Sequence, residues 1–346
     1  MWAGVLHGVR DLRFEQVPIP ERKPDEVLVR VMQNGICGSD VHFYEDGKLG
    51  PFAVTSPYIP GHEACGTVVE ASENGTGPSL GQRVAIEPGI PCRRCEWCKK
   101  GRYNLCPEVV FLSAPPVNGT FAEYVALPGD FAHPVPDGVS DEEAAFVEPI
   151  SVALQAANRA GLSAGMSVAV LGAGPIGLVT AMTARVFGAA TIIQLDRVHA
   201  RLKTAEEVCG AVGVNVDDGN PASRLLELTG GVGVDVVFDA SGNSRASAMG
   251  PVLAKRGGVV VLIGWPEIDP VPFPIEQVLE KELDVRGVNR YCNTYPQAME
   301  LLGKARLDVG RLISHRFELS QIAEAFAFAS ANRQNTIKVM VSASTR

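Results

Sequence analysis

The sequence has no excess of positive charge, no apolar leader, no uninterrupted membrane-length run and no repeat, and each absence removes a class of function. It has 31 Lys and Arg against 39 Asp and Glu over 346 residues, a formal net charge of −8. Nucleic-acid binding needs clustered positive charge, so such a role is disfavoured. The short basic groups Arg93-Arg94 and Lys99-Lys100 sit among cysteines and are a feature of that loop. Met1 to Phe14 contains Arg10, Asp11 and Arg13 and lacks the apolar core of a secretory leader. The stretch Ala160 to Ala184 carries no charged residue, yet Gly172, Gly174, Pro175 and Gly177 interrupt it like a turn between a strand and a helix. A spanning helix needs about 20 mainly apolar residues without such a break. The expectation is a cytoplasmic protein whose eight cysteines are thiols or metal ligands, since structural disulfides belong to oxidising compartments.

What is present divides the chain. The middle third alternates short β-rich runs with helical patterns. Strands are expected at Ser167–Leu171, Thr191–Leu195, Val214–Val216, Val234–Phe238, Val259–Ile263 and Leu283–Arg286, most of them continuously apolar. Runs buried on both faces point to a parallel sheet covered by helices, an α/β doubly wound architecture. The first 150 residues carry strands (Glu26–Met32, Gly66–Val69, Arg83–Ile86, Ala122–Ala126) between Gly- and Pro-rich turns, suited to a mostly antiparallel β domain. Two helical stretches, near Tyr295–Lys304 and Ser320–Ala331, precede a last strand at Thr336–Val341, which can return to that β domain. The organisation expected is residues 1–150 with 290–346 as one domain and 151–289 as an inserted dinucleotide-binding domain.

Gly172-Ala173-Gly174-Pro175-Ile176-Gly177 follows a strand and opens a helix. Its first glycine allows a tight turn, its second lets the backbone approach a pyrophosphate, and its third lets helix pack on strand. The helix N-terminus offers free N–H groups and the positive end of its dipole. Asp196, 19 residues beyond Gly177, ends the next strand, where a carboxylate can accept ribose hydroxyls and repel a 2′-phosphate. Arg197 beside it is of the type that accommodates that phosphate; Asp196 is expected to dominate, giving NAD over NADP.

Cys92-x2-Cys95-x2-Cys98-x7-Cys106 places four thiols within 15 residues, enough to close one tetrahedral metal site with protein ligands. Zinc is the expected ion. An iron–sulfur cluster is the rival, although its usual last gap is three residues; a zinc-module nucleic-acid binder is disfavoured by the acidic chain. Cys37 and the pair His62-Glu63 are further metal-ligand types on Gly-flanked turns, and Glu148 precedes Pro149. Catalytic zinc typically takes three protein ligands and leaves a position open. Spacing alone does not unite these residues, because a buried cysteine and a hydrogen-bonded histidine are commoner.

Taken together, Gly35-Ile36-Cys37-Gly38-Ser39-Asp40-Val41-His42, Gly61-His62-Glu63, the four-cysteine lobe, Val147-Glu148-Pro149, the glycine fingerprint and Asn289-Arg290-Tyr291-Cys292 resemble the zinc-dependent medium-chain dehydrogenases, in their sorbitol/xylitol (polyol) branch. The resemblance covers essentially the whole chain. It implies a GroES-like domain carrying a Rossmann insertion, NAD, and one catalytic and one structural zinc. It implies Cys37, His62 and Glu63 as catalytic-zinc ligands, with Glu148 bound directly or through water, and Cys92, Cys95, Cys98 and Cys106 around the structural ion. Ser39 and His42 match a proton relay, and Tyr44, Phe111, Arg290 and Tyr291 match substrate-pocket positions. The activity implied is hydride transfer from a secondary alcohol of a polyol to NAD, in a homotetramer or homodimer with no nucleic-acid or membrane partner. The same chemistry on L-threonine, 2,3-butanediol or a cyclitol, and a non-catalytic NAD-binding protein, are the alternatives.

Overall fold

The computed structural model describes residues 1–304 and 307–343. Residues 305, 306 and 344–346, which fall in the segment expected to return to the β domain, lie outside the described residues. The described chain divides into two compact units, one of residues 1–148, 295–304 and 309–343, the other of residues 149–294 with 307–308.

The first unit is built on a seven-stranded sheet. Its order runs Ala132–Pro134, Arg83–Ile86, Glu63–Glu70, Glu26–Gly35, Lys338–Ser342, Ile313–Glu318, and Tyr124–Pro128 also pairs with Glu26–Gly35. All pairings are antiparallel except Ile313–Glu318 with Lys338–Ser342. The central strand Glu26–Gly35 is long and mostly buried, with Val27, Val29 and Val31 at 0% exposure. The edge strand Ile313–Glu318 alternates half-buried and exposed residues, as a strand with one solvated face must. The central register sets Gly35 opposite both Glu63 and Met340, so the chain's last strand is laid beside its first long one. A hairpin of Trp2–Gly8 with Asp11–Gln16 was not anticipated from the sequence; Arg10, at φ 57°, makes its tight turn.

The second unit is a six-stranded, wholly parallel sheet in the order Val212–Asn215, Thr191–Asp196, Ser167–Leu171, Val234–Asp239, Ala254–Leu262, Asp284–Gly287. Numbered along the chain the order is 3-2-1-4-5-6, doubly wound, with the switch point where strand Ser167–Leu171 ends. All six expected strands are present. The third begins at Val212 rather than Val214, and the fifth at Ala254 rather than Val259 because it is longer than its apolar run. The uncharged stretch from Ala160 to Ala184 is the end of helix Val147–Ala160, the buried strand Ser167–Leu171 and most of helix Pro175–Val186. Pro175 occupies the first helical position, where its missing N–H costs nothing. Among the described residues no helix is long and apolar enough to cross a membrane.

Candidate active site

In the first unit, strand Glu26–Gly35 ends two residues before Cys37, which caps the helix Gly38–Asp46. The sequence suggested a turn here; the helix forms because Asp40 in its first turn accepts the Cys37 N–H at 3.1 Å and complements the helix dipole. Gly61, at φ +100°, turns the chain into strand Glu63–Glu70. A Cβ on Gly61 would lie 2.6 Å from the Phe121 ring, so no other residue fits. These two segments deliver Cys37, His62 and Glu63, whose ligand atoms lie within 4.8 Å of one another. His62 and Glu63 are buried, at 5% and 1% exposure.

The cluster has the marks of a site that awaits a cation. Glu63 Oε1 is buried without a hydrogen-bond partner, an expensive arrangement unless something else satisfies it. His62 Nδ1 faces Asp40 Oδ1 at 3.5 Å. Asp40, fully buried, also accepts the Ser113 hydroxyl at 2.8 Å and the Gly61 N–H at 3.3 Å. Burial works against its ionisation, but the facing His62 and the donors Ser113 and Cys37 N–H outweigh it and hold its pKa below the usual carboxylate value. Burial likewise opposes a charged His62, and the facing Asp40 carboxylate, with the sulfur of Cys37 beside it, outweighs this and raises the imidazole pKa. A carboxylate behind an imidazole is the arrangement that orients a metal-bound histidine. The other oxygen of Glu63, Oε2, accepts the ammonium of Lys338 at 2.5 Å. The residues present therefore fit a divalent cation with nitrogen, sulfur and oxygen ligands.

Ser39 and His42 follow on the same helix, one turn apart. His42 is half-exposed, with Nδ1 3.3 Å from Asp46 Oδ2. The Phe111 ring packs against His62 at 5.5 Å between centroids. Tyr44, in contrast, is 7% exposed and set edge-on to Phe326 at 5.6 Å in the hydrophobic core. Glu148, 6% exposed, sits in the first turn of helix Val147–Ala160 and is not among the three mutually close ligands.

The four-cysteine lobe is a second cluster of the same unit, again with all ligand atoms within 4.8 Å. The Cys95–Cys98 and Cys92–Cys98 sulfur separations are 3.4 and 4.0 Å, bracketing the roughly 3.8 Å that a tetrahedron of 2.3 Å zinc–sulfur bonds requires. All eight cysteines are free of disulfides. Most of the lobe's basic residues are engaged. Arg93 pairs with Asp130, Arg94 with Glu108 and Lys100 with Glu96, while Lys100 and Arg102 lie over the Trp97 ring.

In the second unit, Gly172 turns at φ +90° and Gly174 caps the helix Pro175–Val186. A Cβ on Gly177 would overlap the Gly172 carbonyl oxygen, whereas one on Gly174 would meet nothing within 4 Å. The open space over Gly174, before free helical N–H groups, is a cradle that suits a pyrophosphate. Asp196 Oδ2 accepts the Ala173 N–H at 2.6 Å and Oδ1 the Val198 N–H at 2.8 Å, fixing the carboxylate beside the loop. Arg197 is exposed and lies 3.7 Å from Asp217. Sequence reasoning passed over Gln194, a fully buried amide that donates to the Gly172 carbonyl at 2.7 Å and braces the loop; a lone polar residue in an apolar strand was its only signal. Arg290, at φ 54°, and the buried Tyr291 lie in the segment after strand Asp284–Gly287.

With this geometry described, the comparisons with known proteins are specific. Residues 23–137 match the alcohol dehydrogenase GroES-like domain and residues 175–304 the zinc-binding dehydrogenase domain. The chain is 38% identical over 341 residues to sorbitol dehydrogenase of Bacillus subtilis, covering 99% of this chain and 97% of that one. It is 39% identical over 343 residues to sorbitol dehydrogenase of Gallus gallus, covering 98% and 95%. Among solved structures, an Escherichia coli oxidoreductase/dehydrogenase of unknown specificity superposes with a TM-score of 0.95 at 32% identity, covering 99% of both chains.

Proposed function

The chain belongs to the zinc-dependent medium-chain dehydrogenases, in the sorbitol dehydrogenase branch, and from that premise we propose that it oxidises a secondary alcohol of a polyol to a ketose with NAD. The observation that carries the reading is the buried cluster Cys37, His62 and Glu63, in which Glu63 Oε1 has no hydrogen-bond partner.

Cys37, His62 and Glu63 hold the catalytic zinc, and Cys92, Cys95, Cys98 and Cys106 the structural one. Zinc, when bound, is a Lewis acid that makes an alcohol proton labile near neutral pH, and NAD is the hydride acceptor. The chain's own residues do the rest. Asp40 holds the His62 ring, leaving Nε2 as the nitrogen for the ion. Phe111 walls the His62 side of the site and keeps water from it. Ser39 and half-exposed His42 carry the released proton along their helix to solvent, and Glu148 holds a water or the ion. Arg290 and Tyr291 recognise hydroxyl groups, while Tyr44 packs on Phe326 within the core of its own unit. Gly172, Gly174, Pro175, Ile176 and Gly177 seat the pyrophosphate, and Asp196 selects NAD by accepting ribose hydroxyls, with Arg197 beside it drawn to Asp217. The enzyme is further read as a homotetramer or homodimer, and as cytoplasmic in keeping with eight cysteines free of disulfides.

The test is NADH formation from sorbitol, xylitol, L-threonine and 2,3-butanediol with purified protein. Turnover on a polyol that a chelator abolishes and zinc restores is expected. Turnover on threonine or butanediol alone would discard the polyol assignment, and none on any substrate with zinc fully loaded would favour a non-catalytic NAD-binding protein.

A further inference from the structure

Lys338 is 2% exposed, a rare position for an ammonium. It stands at the start of the last strand, 275 residues from Glu63 and 302 from Ile36. Its Nζ donates to Glu63 Oε2 at 2.5 Å and to the Ile36 carbonyl at 3.2 Å, and lies 5.8 Å from the centre of the Phe146 ring. The register leaves room for this: Gly35 sits opposite Glu63, and a Cβ on Gly35 would overlap Glu63 Oε2 and lie 3.3 Å from Lys338 Cδ. Gly35, Glu63 and Lys338 thus come from three adjacent strands of one sheet. The two oxygens of the carboxylate are treated differently. Oε2 is committed to the ammonium, while Oε1 is buried with no hydrogen-bond partner.

We infer that Lys338 is a positioning residue that makes Glu63 a single-oxygen metal ligand: it ties down Oε2 and leaves Oε1 alone to the ion. The inference rests on the metal reading proposed above. The ammonium does not touch substrate; it acts through the carboxylate, as outer partners of metal ligands generally do. The Ile36 carbonyl holds the ammonium and Gly35 supplies the space, so the carboxylate has one place to sit.

The test compares full-length wild type, Lys338→Met and Lys338→Arg by the rate of zinc release to a chelating dye and by the visible spectrum of cobalt-loaded enzyme. Lys338→Met should release the zinc of the Cys37 site about 10- to 100-fold faster, the usual cost of losing such a partner, with shifted cobalt bands. Lys338→Arg keeps the charge, but its planar fork favours both oxygens of a carboxylate. It should therefore draw on Oε1 as well, shifting the cobalt bands and speeding release by roughly 10-fold. Should the methionine variant not fold, the arginine variant decides. Cobalt bands and zinc release unchanged in the folded variants, whatever happens to Tm, would overturn the inference and leave Lys338 a purely structural buried charge; slower release would also overturn it, making Lys338 only a competing cation. A wild-type chain with no zinc outside the four-cysteine lobe would overturn the metal reading and this inference together, whereas two zincs with unchanged release would overturn the inference alone.

Discussion

The two cysteine-bearing clusters of the first unit are built in opposite ways. Cys92, Cys95, Cys98 and Cys106 come from 15 consecutive residues, lie half-buried for the most part, and are surrounded by ion pairs and a Trp97 platform supplied by the same loop. Cys37, His62 and Glu63 come from a helix start and a strand start, and are braced by Asp40, Ser113 and Lys338, the last from the far end of the chain. A closed site of four thiolates asks little of the fold beyond a loop. A site meant to leave a position open needs ligands held from outside, because the ion alone cannot order three residues and keep a vacancy. On the reading proposed here, the first cluster contributes stability locally and the second carries the chemistry.

Substitutions can break that contrast, and the sharpest is Cys37→Ser. It should lower kcat/KM by about 10³-fold or more, since a Lewis acid contributes several kcal/mol, and remove one zinc of two while circular dichroism stays native. A zinc content and turnover equal to wild type would assign the chemistry elsewhere. Asp196→Ala acts on the other unit, so it should leave both zincs in place and shift the ratio of kcat/KM for NAD over NADP by roughly 10-fold toward NADP. An unmoved ratio would transfer cofactor choice to another residue.

Cys98→Ser should release the other zinc and lower Tm by roughly 5 °C, with kcat per folded molecule nearly intact. Calorimetry beside metal analysis checks this; a collapse of kcat with native stability would mean that the clusters are not independent.

The smallest effect expected is a pH-dependent one away from both clusters, at Asp235. Burial raises its pKa, but Lys255 and Ser167 outweigh this and hold it at about 2, well below the usual aspartate value. A carboxyl whose pKa is lower folded than unfolded stabilises above the unfolded value and loses that contribution as pH falls through the folded one. Asp235→Asn should therefore cost about 1 kcal/mol at pH 7, allowing for the partial exposure of the pair, in denaturant titrations. The difference should shrink as pH falls from about 4 toward 2, and a pH-independent one would defeat the assignment.

How much of this was legible in the sequence depended on contiguity. The lobe and the glycine fingerprint could be read because every residue they need lies within one short segment, and the parallel sheet because most of its strands are continuous apolar runs. The helix after Cys37 was read as a turn, its Gly and Ser concealing that Asp40 would cap it. Asp40, although it lies in the motif around Cys37, had no role assigned to it, and Lys338 carried no signal. A carboxylate and an ammonium are ordinary surface residues until a fold buries them, and their partners lie 73 and 275 residues away in the chain.

By itself, then, the sequence determined the strands of the parallel sheet, the glycine-rich loop and the four-thiol cluster, since each follows from local backbone preference or from residues within a short reach. Only the tertiary structure decided that the last strand lies beside Glu26–Gly35, that Gly35 leaves room for a carboxylate and a lysine, and that Cys37, His62 and Glu63 meet. Register across a sheet is set by which side chains can be buried together, and that is a property of the whole chain.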